Sequence, residues 1–244
     1  LIGKIEDNNP VLSNFADIFY GIKAYQVGKG KPPQTKNIRD EKPFTSDKQK
    51  DKSFLPFFDG KHIGRYKLLW NQNNWLRYGP WLAEPRNPKK YDDEKILIRK
   101  IVGETLNATY VPYTSYCNTL LYVLKTFSDE NFSYQYLLGI LNSRLIGWYF
   151  RKKFQISSED TFPQIMIRDI LQFPIPVNEV LHDSLVSLVS RMLGLHKSLS
   201  AAKTPQEKSV LGRQIEATDD EINRLVYKLY GLTGDEVRIV EEGN

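Results

Sequence analysis

Apolar side chains recur along this chain with two different periods, and the change between them falls near residue 125. Before it, short apolar or aromatic runs alternate with basic and turn-forming residues. Residues 11–22 (VLSNFADIFYGI) read as a short helix or strand entering a turn at Gly21. Residues 54–82 alternate small apolar and basic groups, the pattern of a β-hairpin region with one packed and one solvated face. Residues 95–102 and 108–124 are β-branched and aromatic and predict strands. Beyond them, residues 131–153 set Tyr134, Leu137, Leu138, Leu141, Leu145 and Trp148 at the three-to-four spacing of one amphipathic helix. After a turn at Phe173-Pro174-Ile175-Pro176, residues 179–198 place Leu181, Leu185, Leu188, Val189, Met192 and Leu195 on a single stripe. Three Thr-x-x-Glu boxes then spell helix starts at Thr204, Thr218 and Thr233, the first with Pro205 at the first helical position, and Gly231 is placed as a C-cap. These patterns predict an α+β fold, with a sheet-based region over 1–176 and a helical C-terminal module over 177–244 packing on it.

One stretch fits neither period. Residues 23–53 hold nine Lys/Arg and the pair Pro32-Pro33 with almost no apolar periodicity, and predict a long structureless loop of the functional or mobile kind. The loop belongs to a wider asymmetry. Residues 1–153 carry 25 Lys/Arg against 15 Asp/Glu, residues 154–244 carry 9 against 14, and 25 of the 30 aromatic residues lie in the first segment. Lys/Arg interleaved with aromatics and Asn/Gln suits a surface that holds a polyphosphate backbone and touches base edges, while a basic surface with no specific partner has the same composition.

Other classes of function find little support. No run of about 18 apolar residues is present to span a membrane. The start Leu-Ile-Gly-Lys-Ile-Glu carries no secretory signal and reads as an internal point of a longer protein. Cys117 is the lone cysteine, in an apolar-aromatic setting, and reads as a buried structural thiol of a cytoplasmic protein. His62, His182 and His196 are scattered, so no zinc-type site is expected, and neither Gly-x-Ser-x-Gly nor Gly-x-Gly-x-x-Gly occurs. Gly28 and Gly30 flank Lys29 without the spacing of a phosphate-cradling loop. Asn-Pro-Pro-aromatic, with which amino-methyltransferases hold a flipped base, is also missing. A magnesium nuclease centre would draw on Asp-x-Lys, which stands at Asp40–Lys42, Asp59–Lys61 and Asp93–Lys95 with no convincing upstream carboxylate. No catalytic or metal-binding residue is therefore assigned.

Several segments together resemble a known family. Residues 95–102 (KILIRKIV) followed by 106–122 (LNATYVPYTSYCNTLLY) look like the central strands of the TaqI-like C-terminal specificity domain, and 136–145 (YLLGILNSRL) with the exit Phe173-Pro-Ile-Pro resemble its helix and end. Residues 222–241 are similar to the C-terminal tail of many type IIG restriction–modification proteins, and Gly21-Ile-Lys and Gly60 to Tyr66 add to the likeness. The resemblance implies a target-recognition domain for double-stranded DNA. Its parent would carry an adenosylmethionine-dependent adenine methyltransferase N-terminal to it in the same polypeptide, and often a magnesium-dependent nuclease, so no cofactor is expected within this segment. Such a domain clamps the duplex while its neighbour flips adenine out.

Residue chemistry then divides the candidates. Lys23, Lys29, Lys31, Lys61, Arg65, Lys67 and Arg77, in loops or hairpin edges, are expected at phosphates. Arg65, Gln72, Asn74, Arg77 and Arg99 are expected at base edges, since Arg pairs bidentately with guanine and Asn or Gln with adenine. Tyr25 and Tyr66 are expected to stack on or pack against sugars, and Asn142 and Ser143 to make helix-local contacts. Two other readings stay open: a nuclease centre of the chain's own, and a protein-interaction scaffold docking through residues 179–244.

Overall fold

The computed structural model describes residues 1–127, 132–154 and 163–243. Strands occupy the first half and helices the second, which is the α+β arrangement predicted. In chain order the elements are α1 (Ile2–Glu6), β1 (Ala16–Tyr20), α2 (Lys36–Glu41), β2 (Thr45–Ser46), β3 (Phe54–Phe58), β4 (Ile63–Gly64), β5 (Lys67–Leu68), β6 (Trp75–Arg77), β7 (Lys95–Arg99), β8 (Ala108–Val111), β9 (Tyr116–Cys117) and β10 (Leu121–Thr126). The helical half follows as α3 (Tyr134–Leu141), α4 (Arg144–Lys153), α5 (Ile167–Ile170), α6 (Glu179–Ala201), α7 (Pro205–Leu229) and α8 (Gly234–Glu242).

Antiparallel pairing builds a main sheet in the order β1-β10-β7-β8, with Tyr20 opposite Tyr122 and Leu97 opposite Val123. Both of its faces are covered, which is why β7 and β10 read as unbroken apolar runs rather than alternating ones. Ile18, Ile96, Ile98, Tyr122 and Leu124 join α3, α4, α6 and α7 in one core, while Leu97, Val111, Leu121 and Val123 meet Phe57, Phe58 and Leu76 of a second sheet, β2-β6-β3-β9.

Four expectations are corrected. The segment 23–53 is not structureless: Thr35 caps α2 by accepting from Ile38 N–H at 3.3 Å, and β2 pairs with β6. The stretch 131–153, described from residue 132, is two helices rather than one. Ser143 ends the first and caps the second, its hydroxyl donating to Ile140 O (2.7 Å) and accepting from Ile146 N–H (3.2 Å). Asn142 is not helix-local, because its side-chain amide bonds both the N–H and the C=O of Ala108 on β8 at 3.0 Å each. Thr218 starts no helix. It lies inside α7, where its hydroxyl donates to Gln214 O at 2.8 Å, whereas the boxes at Thr204 and Thr233 do open α7 and α8.

The helical part shares its core with the sheet. Leu185, Val189 and Met192 of α6 and Ile222, Val226 and Tyr227 of α7 are buried in the same cluster as β1, β7 and β10. Gly139 makes the α3–α6 contact close, since a Cβ there would lie 2.9 Å from Val189 Cγ2. The Phe-Pro-Ile-Pro exit is the seam. The Tyr230 hydroxyl donates to Pro174 O (2.6 Å), the Tyr136 hydroxyl to Pro176 O (2.8 Å), and Ile175 N–H to Pro10 O (2.8 Å).

Candidate nucleic-acid interface

The basic segment 23–53 is seated on β6 and the turn after it. Lys31 N–H donates to Pro80 O at 2.8 Å. Gln34, only 2% exposed, donates through Nε2 to Ala24 O and Trp81 O, both at 2.8 Å, and accepts from Gln26 N–H through Oε1. Gly30 sits at φ +91°, and a Cβ would come within 2.4 Å of Trp81 O, so glycine is required for this approach. A column of rings completes the seat: Tyr25 stacks on Phe44 at 5.7 Å and Phe44 on Trp81 at 5.8 Å. The Arg77 guanidinium lies 5.1 Å from the Trp81 ring centre and 5.9 Å from that of Phe54.

Lys23, Lys29, Lys31, Tyr25 and Arg77 are thereby brought into one patch. Lys29 and Lys31 are exposed, and Lys23 faces Glu84 with Nζ 3.9 Å from its carboxylate. The Tyr25 hydroxyl accepts from Phe44 N–H (2.8 Å) beside Thr45 Oγ1, and burial raises its pKa, so this ring packs the loop. Gln72 and Asn74 occupy the loop from β5 to β6. Gln72 is exposed at φ +57° and its carbonyl accepts from Trp75 Nε1 (2.8 Å); Asn74 accepts from Phe57 N–H (3.0 Å) through its own carbonyl. In both, the backbone bond fixes the loop and leaves the amide side chain out of that bond. Lys61 is exposed in the single turn Gly60–His62, and Arg99 is half-buried at the end of β7.

Arg65, Tyr66 and Lys67 are placed elsewhere, at the seam with the helices. Arg65 donates through Nε to Asn142 O (2.7 Å) and pairs through Nη1 with Asp219 Oδ1 of α7 (2.7 Å). Tyr66 is 2% exposed in the core, where burial drives its hydroxyl pKa far up, and it offers no face to a sugar. Lys67 packs its stem under Gly64 and lines a cleft of about 510 Å³ with Arg65, His196, Glu216 and Asp219. Burial, aided by the Lys67 and Arg65 charges, pushes His196 down to about 4.

Asp219 and Asn142 are the residues that sequence reasoning missed here. Arg144 binds Asp219 (3.6 Å), Asp220 (2.9 Å) and Glu241 (2.9 Å), while Asn223 accepts from Arg144 N–H and donates to Asp219. The turn of the β4–β5 hairpin, the α3–α4 break, α7 and α8 are thus tied by one polar network. Its only sequence signal is Asn142-Ser143 between two apolar runs.

The Asp-x-Lys triplets form no catalytic constellation. Asp40 pairs with Arg39 (2.8 Å), Asp59 N–H is held by His62 Nδ1 (2.9 Å), and Lys95 is wholly buried with Nζ donating to the carbonyls of Tyr91, Asp93 and Tyr113 at 2.7–2.9 Å. Among the described residues no three of His, Cys, Asp and Glu converge as a metal site, and no helix is long and apolar enough to cross a membrane. Cys117 is buried, and that burial pushes its thiol up to about 12.

Comparison with known proteins agrees with this geometry. A type II restriction enzyme and methyltransferase of candidate standing from Methanocaldococcus jannaschii is 29% identical over 164 residues, covering 64% of this chain and 14% of that protein. The chain thus spans about one seventh of the curated relative's length. Among solved structures, the type IIL restriction-modification enzyme MmeI in complex with DNA aligns over 98% of this chain and 37% of its own, with a TM-score of 0.54 at 12% identity, a likeness of fold. The HsdS subunit from Thermoanaerobacter tengcongensis aligns over 88% of this chain and 44% of its own, with a TM-score of 0.44 at 17% identity. The family model of the TaqI-like C-terminal specificity domain matches residues 55–175 of this chain, from β3 through the Phe-Pro-Ile exit.

Proposed function

We propose that the chain is a sequence-specific recognition module for double-stranded DNA in a restriction–modification protein, non-catalytic by itself, which positions target DNA for an adenine methyltransferase outside it. The observation that carries this reading is the coincidence of the specificity-domain segment with the basic, aromatic half of the molecule. Lys29, Lys31 and Lys61 are exposed cations on loops that backbone bonds hold in place, suited to phosphates; Arg77, Gln72, Asn74 and Arg99 supply the side-chain types that read base edges. Phosphate contacts set register, and a wrong base then leaves a bidentate group unpaired, a discrimination of about 1–3 kcal/mol per pair.

The names of the relatives support a parent that joins this module to a methyltransferase in one cytoplasmic polypeptide, with adenosylmethionine as methyl donor and magnesium where a nuclease is also present. The described residues do not fit either group. No Gly-x-Gly-x-x-Gly run follows a strand to receive an adenosyl moiety, and among the described residues no carboxylates converge on a cation, so no step through cofactor or metal is derived for them.

Binding to a randomised duplex pool, followed by salt titration of the enriched sequence, tests the reading. A short enriched motif with a steep negative dependence of log K on log salt is the expected result. Absence of duplex binding at low salt overturns it.

A further inference from the structure

The loop from Glu84 to Lys95 wraps the outer edge of β1, and its backbone is held to an unusual degree. Lys23 and Glu84 exchange two backbone hydrogen bonds (3.2 and 2.9 Å), the Tyr78 hydroxyl donates to Arg86 O (2.9 Å), and the Tyr91 hydroxyl donates to Tyr20 O (2.7 Å). Two lysine ammoniums grip the far end from inside: Lys95 on the carbonyls of Tyr91, Asp93 and Tyr113, and Lys125 on those of Asp92 (2.7 Å) and Glu94 (2.9 Å). Between Arg86 and Lys90 this loop presents cations and no acid. Lys90 Nζ stands 4.0 Å over the Phe19 ring, Arg86 lies 5.7 Å from the centre of the Tyr20 ring, and Lys100 approaches the same ring at 5.6 Å. Tyr20 itself is 42% exposed. Lys89 is exposed and, with Asn87, Lys90, Lys125 and Phe127, lines a groove of about 260 Å³ along β1. The acids nearby are Glu84, which is bonded to Arg86 and faces Lys23, Asp17 in the groove wall, and Asp92, Asp93 and Glu94 at the far end of the loop, where Glu94 accepts from the Tyr110 hydroxyl.

We propose that Arg86, Lys89, Lys90 and Lys100 form a second row of phosphate contacts for duplex DNA, continuous through Lys23 with the patch of Lys29 and Lys31. This rests on the DNA-recognition reading and deepens it. The cations are strung along a strand edge, Lys90 over Phe19 and Arg86 and Lys100 both against Tyr20, and do not converge on one point as a site for a single small anion would. Five residues of β1 extend about 16 Å, the axial length of about five nucleotides of one DNA strand. A loop fixed before binding loses little conformational entropy when it meets its partner, which favours its use as a positioning rail.

The test compares the 244-residue chain with its Lys89→Gln/Lys90→Gln variant and a Lys208→Gln control on the exposed start of α7, measuring binding to the enriched duplex and to an unrelated one across a salt series. The double variant is expected to weaken both duplexes by the same factor, to flatten the salt slope by about 2, and to enrich the same motif. Thermal melting of each variant checks that the fold is kept. Wild-type affinity and slope in the double variant overturn this inference while leaving the DNA reading intact. So does a changed motif at an unchanged slope, which would make the loop a base reader. Failure of the unsubstituted chain to bind any duplex removes both.

Discussion

At the scale of the residue, two buried bases carry consequences that can be measured. Lys95 is fully buried and its ammonium satisfies three carbonyls, while desolvation draws its pKa down to about 8. Lys95→Met would relieve that desolvation but strand three acceptors in the interior. Unsatisfied buried acceptors cost about 1–3 kcal/mol each, so the acceptors outweigh the relief, and a net loss of about 3 kcal/mol is expected from denaturant unfolding at pH 7. His196 supplies a pH dependence. Its folded pKa of about 4 lies below the ordinary 6.5, so the unfolded chain binds more protons between these values. The contribution of His196 is complete above pH 6.5 and is lost as pH falls toward 4. Thermal melts between pH 7 and 5 should therefore decline in the parent chain and decline less in His196→Gln, and parallel curves would refute the assignment. Neither role was legible in the sequence, because Lys95 sits in the apolar run KILIR as any strand-edge lysine would, and His196 lies on the helical stripe. Arg65 shows the same limit. Its side-chain chemistry suits DNA, yet a carboxylate 154 positions away claims it.

Elements were more legible than residues where a local signal decides, and less where two segments meet. Thr204 and Thr218 carry the same Thr-x-x-Glu text. At 204 the preceding Ala202-Lys203 leaves the helix, so the Thr204 hydroxyl accepts from Glu207 N–H and the Glu207 carboxylate from Thr204 N–H. At 218 the apolar face continues through Ile215, Ile222 and Val226 against the core, and packing keeps the chain helical across the box. Thr204→Ala is accordingly expected to cost about 1 kcal/mol, whereas Thr218→Val, which removes only a hydroxyl bonded back to its own helix, should change unfolding free energy by less than about half that. Equal losses would mean that both boxes act alike. The break between α3 and α4 is the opposite case. Helical periodicity runs on across Asn142-Ser143, and the reason to stop lies in β8, whose Ala108 needs the Asn142 amide. Removing that amide in Asn142→Leu deprives a buried N–H and C=O of partners at once. A loss of about 2–4 kcal/mol is expected, larger than either threonine change in the same assay.

For the whole molecule, the division of charge along the sequence survives in space as a division of labour between surfaces, but the core does not divide. The basic residues of the first half line loops around β1, β3 and β6, while the apolar faces of α6 and α7 are buried in the same cluster as Ile96, Ile98, Tyr122 and Leu124. The sequence pattern separates 1–176 from 177–244 at the Phe173-Pro174-Ile175-Pro176 turn, and it has no means of showing that Leu185, Val189, Ile222 and Val226 share one core cluster with the main sheet. Removal of α6, α7 and α8 would expose Gly139 and its apolar neighbours on α3 and α4, a patch of the kind a monomer does not leave in water. The Arg65–Asp219–Arg144 network adds a polar lock across the same seam. Cooperative unfolding follows from these contacts. Tryptophan fluorescence reports the region 1–176, which holds Trp70, Trp75, Trp81 and Trp148, and far-UV circular dichroism reports mainly α6, α7 and α8. The two signals should fall at the same denaturant concentration, as one two-state transition. Loss of the helical signal ahead of the tryptophan signal would instead mean that the recognition region stands without its helices, and the shared core would then be an accessory contact rather than the structure on which the DNA-facing loops depend.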